Sequence, residues 1–259
     1  MPHLKVTLIQ SNISWEDRDS NLEMFSRKLD QIDGETDLVV LPEMFTSGFS
    51  MNTSELSEGM DGPSVDWMRQ EANSRDFVLT GSLIIRDDEG VYNRLFWVRP
   101  DGTFDSYDKK HLFRMADEHR FYTPGGTRLA VELKGWRFCP LICYDLRFPV
   151  WSRNREDYDC LLYVANWPEA RRSVWKTLLR ARAMENQAYV IGVNRIGRDG
   201  LGREYSGDSC VIDPKGEIFS RTEPFTENVE TVLLSWKDLV EYREEFQVGK
   251  DADAFRILD

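Results

Sequence analysis

Short apolar runs, each stopped by a turn residue, recur along the chain, and apolar positions at helical spacing fall between several of them. Residues 5–10 (KVTLIQ) read as a buried strand. Leu22, Phe25, Leu29 and Ile32 then recur at i, i+3, i+7 and i+10, the stripe of an amphipathic helix. Residues 37–41 make a second short strand halted by Pro42. Val65, Met68 and Ala72 mark a second helical stripe, for which Ser64 is the expected N-cap. Residues 77–85 and 92–98 flank the turn-like Asp87-Asp88-Glu89-Gly90 as a hairpin, and residues 129–133 and 137–143 flank Lys134-Gly135 in the same way. A strand over 161–165 and a long helix over 173–187 follow. Strands over 189–194, 209–213, 217–221 and 230–234 come next, with a short helix beyond Trp236.

Early strands thus alternate with helices, while later ones come as hairpins. This mixture predicts an α/β fold of two sheets packed face to face with helices outside. Residues 1–245 are expected to form one domain, and residues 246–259 a polar C-terminal tail.

Composition narrows the partners. Of 259 residues, 41% are hydrophobic and 30% charged, enough to fill a core, and the net charge is −12. That balance argues against a nucleic acid and against docking on an anionic membrane, because both are held by Lys and Arg. The acidic balance permits an anionic small molecule where a local Arg or Lys faces it. No basic segment followed by an apolar run opens the chain, and no apolar stretch approaches the ~20 residues of a membrane helix, so a cytoplasmic protein is expected. Cys139, Cys143, Cys160 and Cys210 form no pair of CxxC knuckles and the chain has three histidines, so neither disulfides nor a metal site are expected. GxGxxG and GxxxxGK[ST] are both lacking, which leaves a nucleotide cofactor without support.

Three reactive side chains stand just after strongly apolar strands, where a rigid scaffold tends to place catalytic groups. Glu43 follows LVVLP, Lys109 lies in SYDKKHLF, and Cys143 ends the apolar strand of FCPLICYDLRFP. Taken singly, each has an ordinary reading: a salt-bridged acid, a solvated lysine, a buried thiol acting as a small hydrophobe. The coincidence of an acid, an amine and a thiol at three strand tips is what composition does not explain.

With these motifs the chain resembles the nitrilase superfamily of carbon–nitrogen hydrolases, specifically its omega-amidase-like bacterial branch. The likeness runs from the first strand to about Trp236. Glu43 in LPEMF matches the family's general base, Lys109 in DKKHLF its lysine and Cys143 in ICYDLRFP its nucleophile. Glu118, seven residues before Gly125 in ADEHRFYTPG, matches its second glutamate, and ANWP and RARAMENQAYV also fit the pattern. The resemblance implies a four-layer α-β-β-α sandwich and an active enzyme without metal or cofactor. Cys143 would form a thioester, with Glu43 carrying protons. Lys109 and the Tyr144 N–H would face the oxyanion, and Glu118 would hold Lys109 and Glu43 in register. Arg147 resembles the position that grips a substrate carboxylate in omega-amidase relatives. Trp167, Phe148 and Tyr144 are candidate walls of the pocket.

The implied substrate is 2-oxoglutaramate or 2-oxosuccinamate. A carbamoylase, a broad aliphatic amidase and a nonenzymatic binding protein are the alternatives, and Arg147 has a rival role in bracing the loop through Asp145 or Glu185. A homodimer or higher homo-oligomer, joined through the helix over 173–187, is also implied.

Overall fold

Strands covered on both faces can be apolar throughout, as residues 38–40, 160–165 and 210–212 are. A computed structural model describes residues 3–257. In chain order it begins β1 (Leu4–Gln10), α1 (Arg18–Leu29), β2 (Leu38–Val40), the one-turn α2 (Thr53–Leu56), α3 (Pro63–Arg75), β3 (Val78–Arg86), β4 (Val91–Val98) and β5 (Phe104–Asp108). Then come β6 (Val131–Leu133), β7 (Trp136–Ile142), the one-turn α4 (Pro149–Ser152), β8 (Cys160–Ala165), α5 (Arg172–Asn186) and β9 (Tyr189–Asn194). The chain closes with β10 (Ile196–Arg198), β11 (Glu204–Ser206), β12 (Cys210–Ile212), β13 (Asn228–Leu234) and α6 (Trp236–Glu245).

A six-stranded sheet has the order β13-β1-β2-β3-β4-β5, and a five-stranded sheet the order β12-β9-β8-β7-β6. β1, β2 and β3 run parallel in the first, as do β7, β8 and β9 in the second. Alternation divides the first sheet between two cores. Val6, Leu8, Leu38, Val40, Leu95 and Trp97 join the apolar side chains of the second sheet. Ile9, Val39, Phe96 and Val98 point the other way, onto Phe25 and Leu29 of α1 and Val65 and Met68 of α3. Beyond the second sheet lie Trp175, Leu179 and Ala183 of α5 and Leu239 of α6. The layers are therefore α-β-β-α, as the resemblance implies.

Local differences have physical causes. The N-cap of α3 is Gly62, with Pro63 in the first turn where its missing N–H costs nothing. Ser64 instead gives both its N–H and its hydroxyl to Glu58. Residues 217–221 form no strand; Ile218 makes a single bridge to Ile212. Ile32 lies past the end of α1 yet still packs on that helix's core. Past α6 the chain makes a short 3-10 turn (Val248–Asp251), sets Phe255 beneath the Arg155 guanidinium at 4.5 Å, and returns Ile257 to the core.

Candidate active site

The ends of β2, β5, β7 and β8 converge at one edge of the two packed sheets. β2 stops before Leu41 and Pro42, which deliver Glu43 into the interior; Lys109 follows β5 directly and Cys143 follows β7. All three are buried, and Glu118 joins them from a 3-10 turn (Glu118–Arg120). The Lys109 ammonium donates to Glu43 Oε1 at 2.8 Å and to Glu118 Oε1 at 2.9 Å. Asn93 of β4 gives its amide N–H to the same Glu43 oxygen at 2.8 Å, and the backbone N–H of Asn166, just past β8, binds Glu43 Oε2 at 2.7 Å. The backbone N–H of Phe113 holds the other Glu118 oxygen. Glu43 is thus held from β4 and from the residues just past β5 and β8, and Glu118 from Lys109 and the Phe113 loop.

Burial of such charges is tolerable only because they are paired and hydrogen-bonded. Burial alone would push the Lys109 ammonium down, but the Glu118 and Glu43 carboxylates outweigh it and hold its pKa well above the usual lysine range. Burial raises the Glu118 carboxyl against the pull of Lys109. Burial, and then the facing Glu43 carboxylate, push the Cys143 thiol well up despite Lys109. The resting thiol is therefore protonated at neutral pH, and Glu43 is the carboxylate that faces it.

Cys143 has φ 44°, a left-handed conformation uncommon for a residue with a side chain. The sharp exit turns the chain out of β7 into a 3-10 turn (Cys143–Arg147) and leaves the sulfur at the cavity floor. Asp145 secures that turn. Its carboxylate accepts from the Ile142 N–H at 3.0 Å, the His111 N–H at 3.0 Å and the Tyr107 hydroxyl at 2.8 Å, and lies 2.7 Å from His111 Nδ1. The turn that carries Cys143 is thereby tied to the segment that carries Lys109. Asp145 stood in the sequence only as a rival partner for Arg147, a role it does not take. Glu185, the other rival, pairs with Arg182 at 2.8 Å.

A cavity of about 470 Å³ opens above the thiol, walled by Tyr144, Arg147, Asn166 and Trp167. The Arg147 guanidinium lies 5.5 Å from the Trp167 ring centroid and makes no ion pair among the described residues. Phe148 does not line the cavity: it stacks on His111 at 3.7 Å, behind the wall, and meets Tyr144 edge to face at 5.2 Å. Phe49, Phe113 and Arg171 complete the near wall, and the β10–β11 hairpin roofs it with Arg198, Arg203 and Tyr205. No motif in the sequence marks these residues. The hairpin is short, polar and glycine-bearing, and Asn166 was visible only as part of the ANWP pattern.

The model of the carbon–nitrogen hydrolase family matches residues 5–244, so the chain belongs to that family and is a hydrolase of carbon–nitrogen bonds. The chain is 51% identical to omega-amidase YafV of Escherichia coli (strain K12) over 257 residues, spanning 99% of this chain and 100% of that protein. It is 30% identical to the 2-oxoglutaramate amidase of Bacillus subtilis (strain 168), across 95% of this chain and 96% of that one. Among solved structures, a CN-hydrolase superfamily protein of Xanthomonas campestris, which carries an arsenic adduct in its active site, superposes with a TM-score of 0.96. It is 46% identical, covering 99% of this chain and 100% of that one. No helix among the described residues is long and apolar enough to cross a membrane.

Proposed function

We propose that the protein is an omega-amidase, hydrolysing 2-oxoglutaramate or 2-oxosuccinamate to the dicarboxylic 2-oxo acid and ammonia. The observation that carries this reading is the Arg147 guanidinium, without an ion pair among the described residues, in the wall above a buried Glu43, Lys109 and Cys143 cluster. A guanidinium fork suits a carboxylate, so the far end of an anionic substrate has a seat while its amide reaches the sulfur. The names of the relatives at 51% and 30% identity support it.

Cys143 Sγ attacks the amide carbon as its proton passes to Glu43, and the oxyanion forms facing Lys109 and the Tyr144 N–H. The latter stands in the first turn of a 3-10 segment, where N–H groups have no partner inside the turn. Glu43 then protonates the departing nitrogen, ammonia leaves, and a thioester remains. Water attacks the thioester as Glu43 takes a proton from it, and that proton returns to Sγ when the acid is released. Splitting one difficult step into two in this way is the advantage of a covalent nucleophile. Lys109 and Glu118 stay paired throughout, Glu118 fixing the ammonium rather than moving protons.

The test is ammonia release from 2-oxoglutaramate beside glutamine and N-carbamoyl-β-alanine, with Cys143→Ala as control. Release from the keto-acid amide alone, abolished in the variant, is expected. Turnover of the carbamoyl compound instead would move the assignment to a carbamoylase. The unpaired state of all four cysteines suits a reducing cytosol. We further propose a homodimer through α5, whose outer face leaves Met184 52% exposed. A monomer by sedimentation at micromolar concentration would remove that part.

A further inference from the structure

Two of the arginines that line the cavity make no ion pair among the described residues. Arg147 is one, and Arg171 is the other. Of the hairpin arginines, Arg198 pairs with Glu204, and Arg203 stands 3.9 Å from the Asp199 carboxylate. Arg172, next along the chain, turns away to pair with Asp208 at 2.8 Å. Glu169 lies in the same 3-10 turn (Glu169–Arg171) and on the same wall, yet makes no ion pair with Arg171 among the described residues.

Arg171 is nonetheless fixed in place. Its guanidinium lies 5.2 Å from the Phe113 ring centroid. Its carbonyl accepts the Trp167 indole N–H at 2.9 Å, and its own N–H donates to the Pro168 carbonyl at 3.0 Å. Trp167 therefore registers both cations, with the face of its indole toward Arg147 and its N–H on the backbone of Arg171.

We propose that Arg171 is a specificity-determining residue, which with Arg147 forms a two-guanidinium seat for the 2-oxo-acid end of the substrate. This rests on the omega-amidase reading above. A 2-oxo acid presents three acceptor oxygens side by side. One fork takes the carboxylate in a bidentate grip, and the ketone oxygen needs a second donor. An unsubstituted chain leaves that donor without a partner. An α-amino acid amide such as glutamine brings an ammonium there, and a second guanidinium repels it. Arg171 thus ranks substrates as oxo, then unsubstituted, then amino at the carbon beside the carboxylate.

The experiment compares kcat/KM for 2-oxoglutaramate, glutaramate (the same chain without the oxo group) and glutamine in the native enzyme, Arg171→Met and Arg171→Lys. In Arg171→Met the preference for 2-oxoglutaramate over glutaramate is expected to shrink by about tenfold or more, since a site built to hydrogen-bond a group discriminates strongly against its loss. Arg171→Lys keeps the charge and should still reject glutamine. A preference equal to the native one in a folded Arg171→Met overturns the proposal. A second measurement does not depend on which amide is turned over: alkylation of Cys143 by iodoacetate relative to iodoacetamide, read by peptide mass spectrometry. Removing an anion-seating cation should lower that ratio several-fold, roughly the effect of one lost charge-assisted contact. If the native enzyme left 2-oxoglutaramate untouched, the omega-amidase reading would fail. A fall in the alkylation ratio would then still support Arg171 as the anion selector, and an unchanged ratio would overturn it.

Discussion

At the scale of single residues, the site depends on groups that never meet the substrate. Glu118 is one: its carboxylate is shared between the Lys109 ammonium and the Phe113 N–H. Glu118→Gln keeps the shape but removes a charge from beside a buried ammonium. Turnover is expected to fall on the order of 10²-fold, as when a transition-state donor is misplaced, with KM changed far less. Steady-state kinetics check the split; a rise in KM alone would make Glu118 a binding group. Asp145 is the other. Asn at that position has a single acceptor oxygen, and Asp145 now receives the Ile142 and His111 N–H groups and the Tyr107 hydroxyl. Asp145→Asn should cost about 1–3 kcal/mol of stability, because at least one buried donor is left unpaired. It should also lower kcat on the order of tenfold by loosening Cys143 against Lys109. Urea unfolding and kinetics on the same preparation read both, and native values for either would contradict the role.

At the scale of elements, how closely a helix can lie on a sheet is decided by one missing side chain. A Cβ built on Gly192 in β9 would stand 2.6 Å from Leu179 Cδ1 and 3.0 Å from Trp175, both in α5. Gly192→Ala must displace the Leu179 and Trp175 side chains or α5 with them, and a loss of about 1–3 kcal/mol is expected, as for overpacked cores. A variant with the native urea midpoint would mean that the helix yields freely. What was legible in the sequence follows the same physics. Runs such as KVTLIQ and LLYVA announce themselves because both faces of their strands are buried, and the acid and the thiol stand out at the tips of such runs. The strand before Lys109 was expected to be strongly apolar, yet β5 is FDSYD, and β10 and β11 were invisible, since these short strands carry charged and partly exposed residues and owe their pairing to neighbours. Arg171, Asn93 and the true work of Asp145 were hidden for another reason: each acquires its meaning only when segments far apart in the chain touch, as Asp145 and Tyr107 do across the two sheets. Phe148 marks the converse error, an aromatic near the nucleophile whose ring packs behind the wall.

At the scale of the whole molecule, every free cysteine is buried, and this ties stability to pH on the alkaline side. Burial pushes the thiols of Cys139 and Cys210 from the ordinary 9.0 up to about 12. Cys160 is raised further by burial and by Asp159 beside it. A raised pKa means that the folded state holds its proton where the unfolded state has released it. The contribution to stability is thus complete below pH 9 and drains away as pH climbs toward the folded value near 12. Each such thiol should steepen the loss by about 1.4 kcal/mol per pH unit across that window. On the acid side Asp159 works in the opposite sense. Despite its burial, its hydrogen bonds and ion pairs to Arg137 and Arg243 depress its pKa, so its contribution is present above the ordinary carboxylate value and lost as pH falls through the lowered one. The two ends can be separated by experiment. A Cys139→Ala, Cys210→Ala double variant should be less stable than the native chain near pH 7, because two cavities are left, yet should lose stability more slowly above pH 9, while its acid limb follows the native one. Urea midpoints at intervals from pH 4 to about pH 11 would show this. Parallel alkaline limbs in the two proteins would mean that the buried tyrosines, and not the thiols, set the upper limit of the fold.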